Sequence, residues 1–408
     1  MTSTGKRVPL GVLDLVPVTA GSDASAAVRN SVDLARSTER LGYRRYWFAE
    51  HHLNPGVAGS SPVVMIALAA AATSRIRLGS GGVQSGHRTA LSVVEEFGLI
   101  DALYPGRLDL GLGRSGGRDF IAAMLEKVAS AVPPSASPSS SSSASSSASA
   151  SASASASGNG SSPAGNRAAS GLLIPQRFSF ARLASSSRLA LTADLLQQPS
   201  AETPAYSDLV RDIAGLLAGS YRSADGLDPR PVPGQGAQVE MWVLGSSAGE
   251  SAAVAGELGL HFAANYHVSP ATVIEAVEAY RAAFVPSAAL DRPYVAVSAD
   301  VVVGPDDDAA RALATGYGLW VRSIRRGEGA IEFPSPEQAA RHQWSEADLA
   351  LVADRTDTQF VGSPRTVAAG LEQLQAATRA DELVITTITH EHADRVRSYE
   401  LLAEEWLG

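Results

Sequence analysis

Glu50, His51 and His52 stand together at the end of an apolar run, Tyr46-Trp47-Phe48-Ala49. One carboxylate and two imidazoles make a set suited to general acid–base work, because an unperturbed imidazole titrates near pH 6.5. Neighbouring side chains on extended backbone point opposite ways, so only one of the two histidines faces a given cavity. The competing interpretation is a pair of rim histidines satisfied by loop backbone. His87 and His267 also fall near expected strand ends. No Ser-His-Asp arrangement can be assigned, and the absence of cysteine excludes disulfides, thiolate metal sites and thiol nucleophiles.

Three glycine-rich segments follow apolar runs. Gly111-Leu112-Gly113-Arg114-Ser115-Gly116 has the G-x-G-x-x-G spacing. The acidic residue that a dinucleotide site needs about 20 positions on is missing, because that stretch is Ser and Ala. Arg114 could instead hold a phosphate, or pair with a surface carboxylate. Gly245, Ser246 and Ser247 precede a helix, where free N–H groups and the positive helix end favour an anion, although serine is also an ordinary N-cap. Gly79, Ser80, Gly81 and Gly82 suggest a flat ligand against bare backbone, or a plain turn. His390-Glu391-His392 reads as a charged helix start. No metal set is evident.

These residues need elements to position them. Apolar segments are expected as strands at 8–15, 45–49, 76–80, 108–112, 239–244, 260–264, 294–303 and 383–388. Helices are expected between them, the first opened by Asp23 and closed by Gly42. In the third, Val93, Phe97, Ile100 and Tyr104 share one face. A long helix is expected from about 307, and a terminal helix ends at Trp406. Strict alternation implies a parallel sheet, and eight units predict a closed (β/α)8 TIM-type barrel, α/β in class, over the single domain 1–408. A doubly wound open sheet is the alternative. Residues 130–170 are almost all Ser and Ala, which cannot bury enough apolar surface to order, and are expected as a disordered insertion.

With 408 residues, 45% hydrophobic, the chain can bury a large core. A net charge of −9 disfavours nucleic acid as a partner. No apolar run is long enough to span a membrane. A cytoplasmic protein is expected. The two lysines, Lys6 and Lys127, lie at no strand end, which disfavours a Schiff-base lyase.

Taken together, five segments resemble the bacterial luciferase-like flavin-dependent monooxygenase family. They are Leu41-Gly42-Tyr43-Arg44-Arg45-Tyr46-Trp47-Phe48-Ala49-Glu50-His51-His52, Ile76-Arg77-Leu78-Gly79-Ser80-Gly81-Gly82-Val83, the stretch from Asp101 to Arg114, Trp242-Val243-Leu244-Gly245-Ser246-Ser247, and the pair Val361-Gly362-Ser363-Pro364 with Ala380-Asp381-Glu382-Leu383. The resemblance implies a barrel using reduced FMN, or in some branches F420. It implies oxidation of a small organic substrate such as an aldehyde by O2 through a C4a-peroxyflavin. It further implies a separate flavin reductase, and a homodimer through helices two and three. By position, His51 matches the catalytic histidine and His52 its neighbour. Arg114 with Gly245, Ser246 and Ser247 would hold the flavin phosphate. Gly81 and Gly82 match a cis peptide under the flavin ring. Where many relatives read Leu-Pro-Asn-His, this chain has Ser85-Gly86-His87-Arg88. An F420-dependent oxidoreductase and a non-catalytic flavin-binding protein are the alternatives.

Overall fold

The structure is a computed structural model that describes residues 7–114, 165–179 and 186–408. Eight strands carry the barrel: β1 Leu10–Asp14, β2 Arg45–Phe48, β3 Arg77–Ser80, β4 Leu108–Gly113, β5 Val239–Gly245, β6 His261–Asn265, β7 Val295–Val303 and β8 Glu382–Thr386. Each is parallel to the next, and β8 pairs β1 through Val12 and Ile385, which closes the sheet and excludes the open alternative. Buried, mostly apolar runs such as Leu10–Asp14 are what a strand covered on both faces requires.

The covering helices are α1 Ala24–Leu41, α2 Pro62–Ala72, α3 Ala90–Leu103, α4 Tyr206–Ala218, α5 Glu250–Glu257, α6 Val273–Ala283, α7 Pro364–Thr378 and α8 His392–Trp406. Helix α1 begins where the Asp23 carboxylate accepts the Ala26 N–H at 2.7 Å. It ends at Gly42, whose φ of +88° suits glycine.

The barrel interior is layered. At the N-terminal ends of the strands, Arg45 donates to Asp109 at 2.5 Å and to Glu382 at 2.8 Å, with all three side chains buried. Arg77 adds a second cation to Asp109 at 2.8 Å. The Arg45 guanidinium lies 4.6 Å from the centre of the Trp242 ring. Above this layer Leu13, Trp47, Trp242, Ala263, Ala296 and Val384 form an apolar plug. Among the described residues, arginine supplies the cation of every ion pair that does not involve histidine. Both lysines lie outside them.

Two expectations change. The long helix from 307 breaks into Asp307–Leu313 and Tyr317–Arg325, separated by a turn at residues 314–316. These segments open an excursion between β7 and β8 whose Tyr317, Trp320, Phe333 and Val352 pack into the apolar plug. Phe333 is laced to the loop after β1, donating to Val18 O at 2.8 Å and accepting from Ala20 N at 2.9 Å. The expected disordered insertion, 130–170, lies outside the described residues except for its last six. Those are not disordered: Gly165–Arg167 pairs antiparallel with Leu173–Pro175. The Tyr266 hydroxyl just beyond β6 donates to Leu173 O at 2.6 Å, which gives that hairpin a place to dock. No described helix is long and apolar enough to cross a membrane.

Candidate active site

The C-terminal ends of the strands gather the titratable groups, as the fold directs. Glu50, His51 and His52 extend past the tip of β2. The two histidines diverge as alternation requires. His52 turns to Glu50, its Nε2 lying 2.9 Å from Oε1. His51 enters the shielded side, and its Nδ1 has no hydrogen-bond partner among the described residues. Burial, reinforced by the neighbouring His52, pushes the His51 imidazole down to about 4. An imidazole at its ordinary value, expected from sequence, is therefore corrected: desolvation keeps His51 neutral at pH 7.

His267, just beyond β6, shares this environment. Its Nδ1 lies 2.6 Å from Ser298 Oγ of β7. Burial, with Arg355 and His51 nearby, pushes it down to about 3. Asp300 of β7 accepts from Tyr317 and, at 3.2 Å, from Arg355, which also donates to the Tyr317 hydroxyl at 2.9 Å. This buried cluster ties the excursion to the barrel wall. Asn265 Oδ1 of β6 and Thr386 Oγ1 of β8 are buried polar atoms without partners among the described residues. Buried polar atoms are ordinarily paired, so such atoms at a barrel mouth suit a polar ligand.

On the β3 side the wall is glycine. A Cβ on Gly81 would stand 2.6 Å from Leu13 Cδ1, and one on Gly82 would stand 2.7 Å from Gly111 O. The Gly81-Gly82 peptide is cis. Beyond it, Gln84 donates its backbone N–H to Glu50 Oε2 and its side-chain amide to Glu50 O, both at 2.9 Å.

After β5, Gly245 packs so tightly that a Cβ would meet the Phe262 ring at 2.8 Å. Ser246 and Ser247 are exposed just before the first turn of α5. Arg114 reaches this place and donates to Glu250 at 2.9 Å, both side chains about 40% exposed. The surface-carboxylate pairing considered for Arg114 is thus present, and a phosphate there would share Arg114 with Glu250. Ser115 and Gly116 of the glycine motif lie outside the described residues.

The remaining sequence candidates separate. His390 donates from Nε2 to Ala20 O at 3.0 Å with its Nδ1 2.9 Å from Glu391, and His392 pairs with Asp33 at 2.9 Å, so this triplet opens α8 away from Glu50, His51 and His52. Two features had no sequence signal strong enough to find them. One is the Asp300–Tyr317–Arg355 cluster. The other is the meeting of Glu50, His52 and His87, whose ligand-type atoms lie within 4.8 Å of one another. His87 was visible as a histidine near a strand end, but its contact with Glu50 depends on the turn at Ser85–His87.

A closed parallel barrel whose C-terminal mouth carries histidines and carboxylates has the architecture that barrel enzymes use. The profile of the luciferase-like monooxygenase family matches residues 8–126 and 197–381, and the chain belongs to that family. It is 34% identical to the uncharacterized protein YvbT of Bacillus subtilis (strain 168), over 98% of this chain and 97% of that one. It is 32% identical to a luciferase-like monooxygenase of Escherichia coli (strain K12), over 99% of this chain and the whole of the relative. The apo structure of MsnO8 superposes with a TM-score of 0.68 at 28% identity, covering 98% of both chains. More remote structures share the fold. They include the oxygenating constituent of 3,6-diketocamphane monooxygenase of Pseudomonas putida in complex with FMN, at TM-score 0.58. Another is an F420-dependent secondary alcohol dehydrogenase with an F420-acetone adduct, at 0.55.

Proposed function

We propose that this protein is a flavin-dependent monooxygenase of one barrel domain, using reduced FMN and O2 to oxidise a small organic molecule in the cytoplasm, with reduced flavin delivered by a separate reductase. The observation that carries the reading is the pairing of a side-chain-free wall at Gly81 and Gly82 with a phosphate-suited loop at Gly245, Ser246 and Ser247 beside Arg114. The residues fit the group: a flat ring needs bare wall, and a phosphate needs N–H, hydroxyl and guanidinium donors. The buried, partnerless atoms of His51, Asn265 and Thr386 add polar groups for a ligand to meet.

When bound, reduced flavin supplies the electrons that activate O2. The chain supplies the rest. Arg114, Ser246 and Ser247 anchor the phosphate. His51, neutral and shielded, offers one hydrogen bond to the reacting group, and His52 is held away from it by Glu50. The excursion packed over the plug excludes water. Val64 and Leu68 of α2 and Leu99 and Leu103 of α3 are exposed apolar side chains, which supports a homodimer through these two helices.

The test is to load the protein anaerobically with reduced FMN, mix it with oxygenated buffer and follow the flavin spectrum. Reoxidation slower than that of free flavin, and faster again with an oxidisable substrate, is expected. Reoxidation at the free-solution rate, or tight binding of F420 in place of FMN, would remove the monooxygenase reading.

A further inference from the structure

Glu50 is the hub of a cluster that the cofactor reading leaves unused. Its side chain is fully buried, and Oε1 alone faces three partners: His52 Nε2 at 2.9 Å, His87 Nε2 at 3.1 Å and Arg88 Nη2 at 3.8 Å. Oε2 receives the Gln84 N–H at 2.9 Å. Burial by itself would favour the neutral acid, but these donors outweigh it and hold the carboxyl down at about 2. Glu50 is therefore a carboxylate throughout the neutral range, and a carboxylate only accepts. Both imidazoles must present an N–H at Nε2.

That requirement fixes the other nitrogen. A neutral imidazole protonated at Nε2 carries its lone pair on Nδ1. His87 Nδ1 is shielded from solvent and meets no partner among the described residues. A ring anchored on a carboxylate through one nitrogen, with the other nitrogen bare, has a fixed tautomer and a place for a second proton beside a compensating charge. His51 has the bare nitrogen without the carboxylate. Besides Glu50, the groups around His87 are the His52 ring, edge-on at 5.4 Å, and Arg88, which is itself held by Glu96 of α3 at 2.7 Å.

We propose that His87, oriented by Glu50, is the proton acceptor of this barrel mouth, with His51 a neutral hydrogen-bonding neighbour. The role rests on the oxidoreductase reading of the mouth. A proton leaves an O–H or N–H of the bound ligand for Nδ1, while the Nε2–H stays on Glu50. The imidazolium is balanced by the carboxylate, and the same proton returns to an oxygen of the product. No electrons move in this step. A divalent cation held by Glu50, His52 and His87 is the rival. It is disfavoured because the Arg88 guanidinium already stands near the oxygen that the cation would take.

The first arm uses the full chain without flavin, labelled with 15N, and follows the ring nitrogens of its eight histidines by NMR against pH. The resonance lost in His87→Gln should show the Nε2–H tautomer at pH 7. In Glu50→Gln its titration midpoint should fall by about one unit or more, since the compensating charge is gone. The second arm measures turnover. His87→Gln should lose about 10²-fold or more in kcat and lose the acid limb of the kcat profile, with an unchanged melting temperature. A His87 ring that titrates identically in Glu50→Gln, full turnover in His87→Gln, or stoichiometric Co2+ binding abolished by Glu50→Gln would each overturn the assignment. Wild-type ring titrations as expected, with no oxygen-dependent turnover, would sink the monooxygenase reading and leave the Glu50–His87 pairing standing.

Discussion

Replacing Arg45 by methionine should destabilise the barrel from the end opposite its chemistry. Arg45 stands between Asp109 at 2.5 Å and Glu382 at 2.8 Å, and none of the three side chains is more than 1% exposed. Asp109 keeps Arg77 at 2.8 Å and the Trp47 indole N–H at 2.9 Å after the change. Glu382 keeps only the half-exposed Arg44 at 3.8 Å and the Tyr294 hydroxyl at 3.2 Å. Methionine fills much of the same volume, so the main cost is a stranded buried carboxylate, about 3–5 kcal/mol. Unfolding entropy for a chain of this folded size is roughly 0.7 kcal/mol/K, so the melting temperature should fall by about 4–7 °C. The sign of the pH dependence follows from Glu382. Burial already raises its carboxyl above the ordinary value, with Arg45 opposing the rise. Without Arg45 the folded state binds that proton more tightly still, so the deficit should be largest near pH 8 and shrink as pH falls. Urea titrations at pH 8 and 5.5 measure this, and Arg45→Met/Glu382→Gln should recover most of the loss at pH 8. A loss under about 1 kcal/mol, or a deficit that ignores pH, would refute the reasoning.

Arg114→Ala should weaken FMN binding about 10- to 100-fold while affecting riboflavin less, because only FMN has the phosphate; calorimetry with both ligands checks it, and equal losses would defeat the assignment. His51→Ala should leave FMN affinity unchanged and lower kcat about 10- to 100-fold, the size of one lost hydrogen bond. The same variant reports on stability. His51 sits at about 4 when folded against an ordinary 6.5, so its contribution is complete above 6.5 and is lost as pH falls from there toward 4. His51→Ala should flatten acid unfolding in that window. Leu99→Glu with Leu103→Glu should give a monomer by light scattering if α2 and α3 pair two copies; an unchanged mass would remove that interface.

The barrel was legible because its signals are local. Asp23 and Gly42 bracket α1 through a side-chain cap and a positive φ, both short-range properties of those residues. The strand at residues 295–303 is nine buried positions in a row, which few other elements could accommodate. What failed was less local. The helix expected from 307 breaks near Thr315 and Gly316, where packing of Gly316 against Phe333 and Pro334, distant in sequence, decides the path. In the site, Glu50, His51 and His52 announced themselves, and alternation separated the two rings. The protonation of Glu50 and His51 was hidden, because that of His51 depends on burial and that of Glu50 on His87, Gln84 and Arg88 arriving from another loop. Asp300, Tyr317 and Arg355 lie on three different elements, and nothing in their spacing says that they meet.

The guanidinium-only ion pairs have a practical side. With Lys6 and Lys127 the sole lysines, the described barrel presents no primary amine on any side chain. Succinimidyl dyes, glutaraldehyde and amine-coupled sensor surfaces would therefore find no lysine among the described residues. The Asp109 and Glu382 carboxylates outweigh burial and hold the Arg45 guanidinium above its ordinary value, so alkaline coupling buffers would also spare that network. The protein can be tethered or dyed through two sites remote in sequence from Glu50 and His87 without redesigning a single residue.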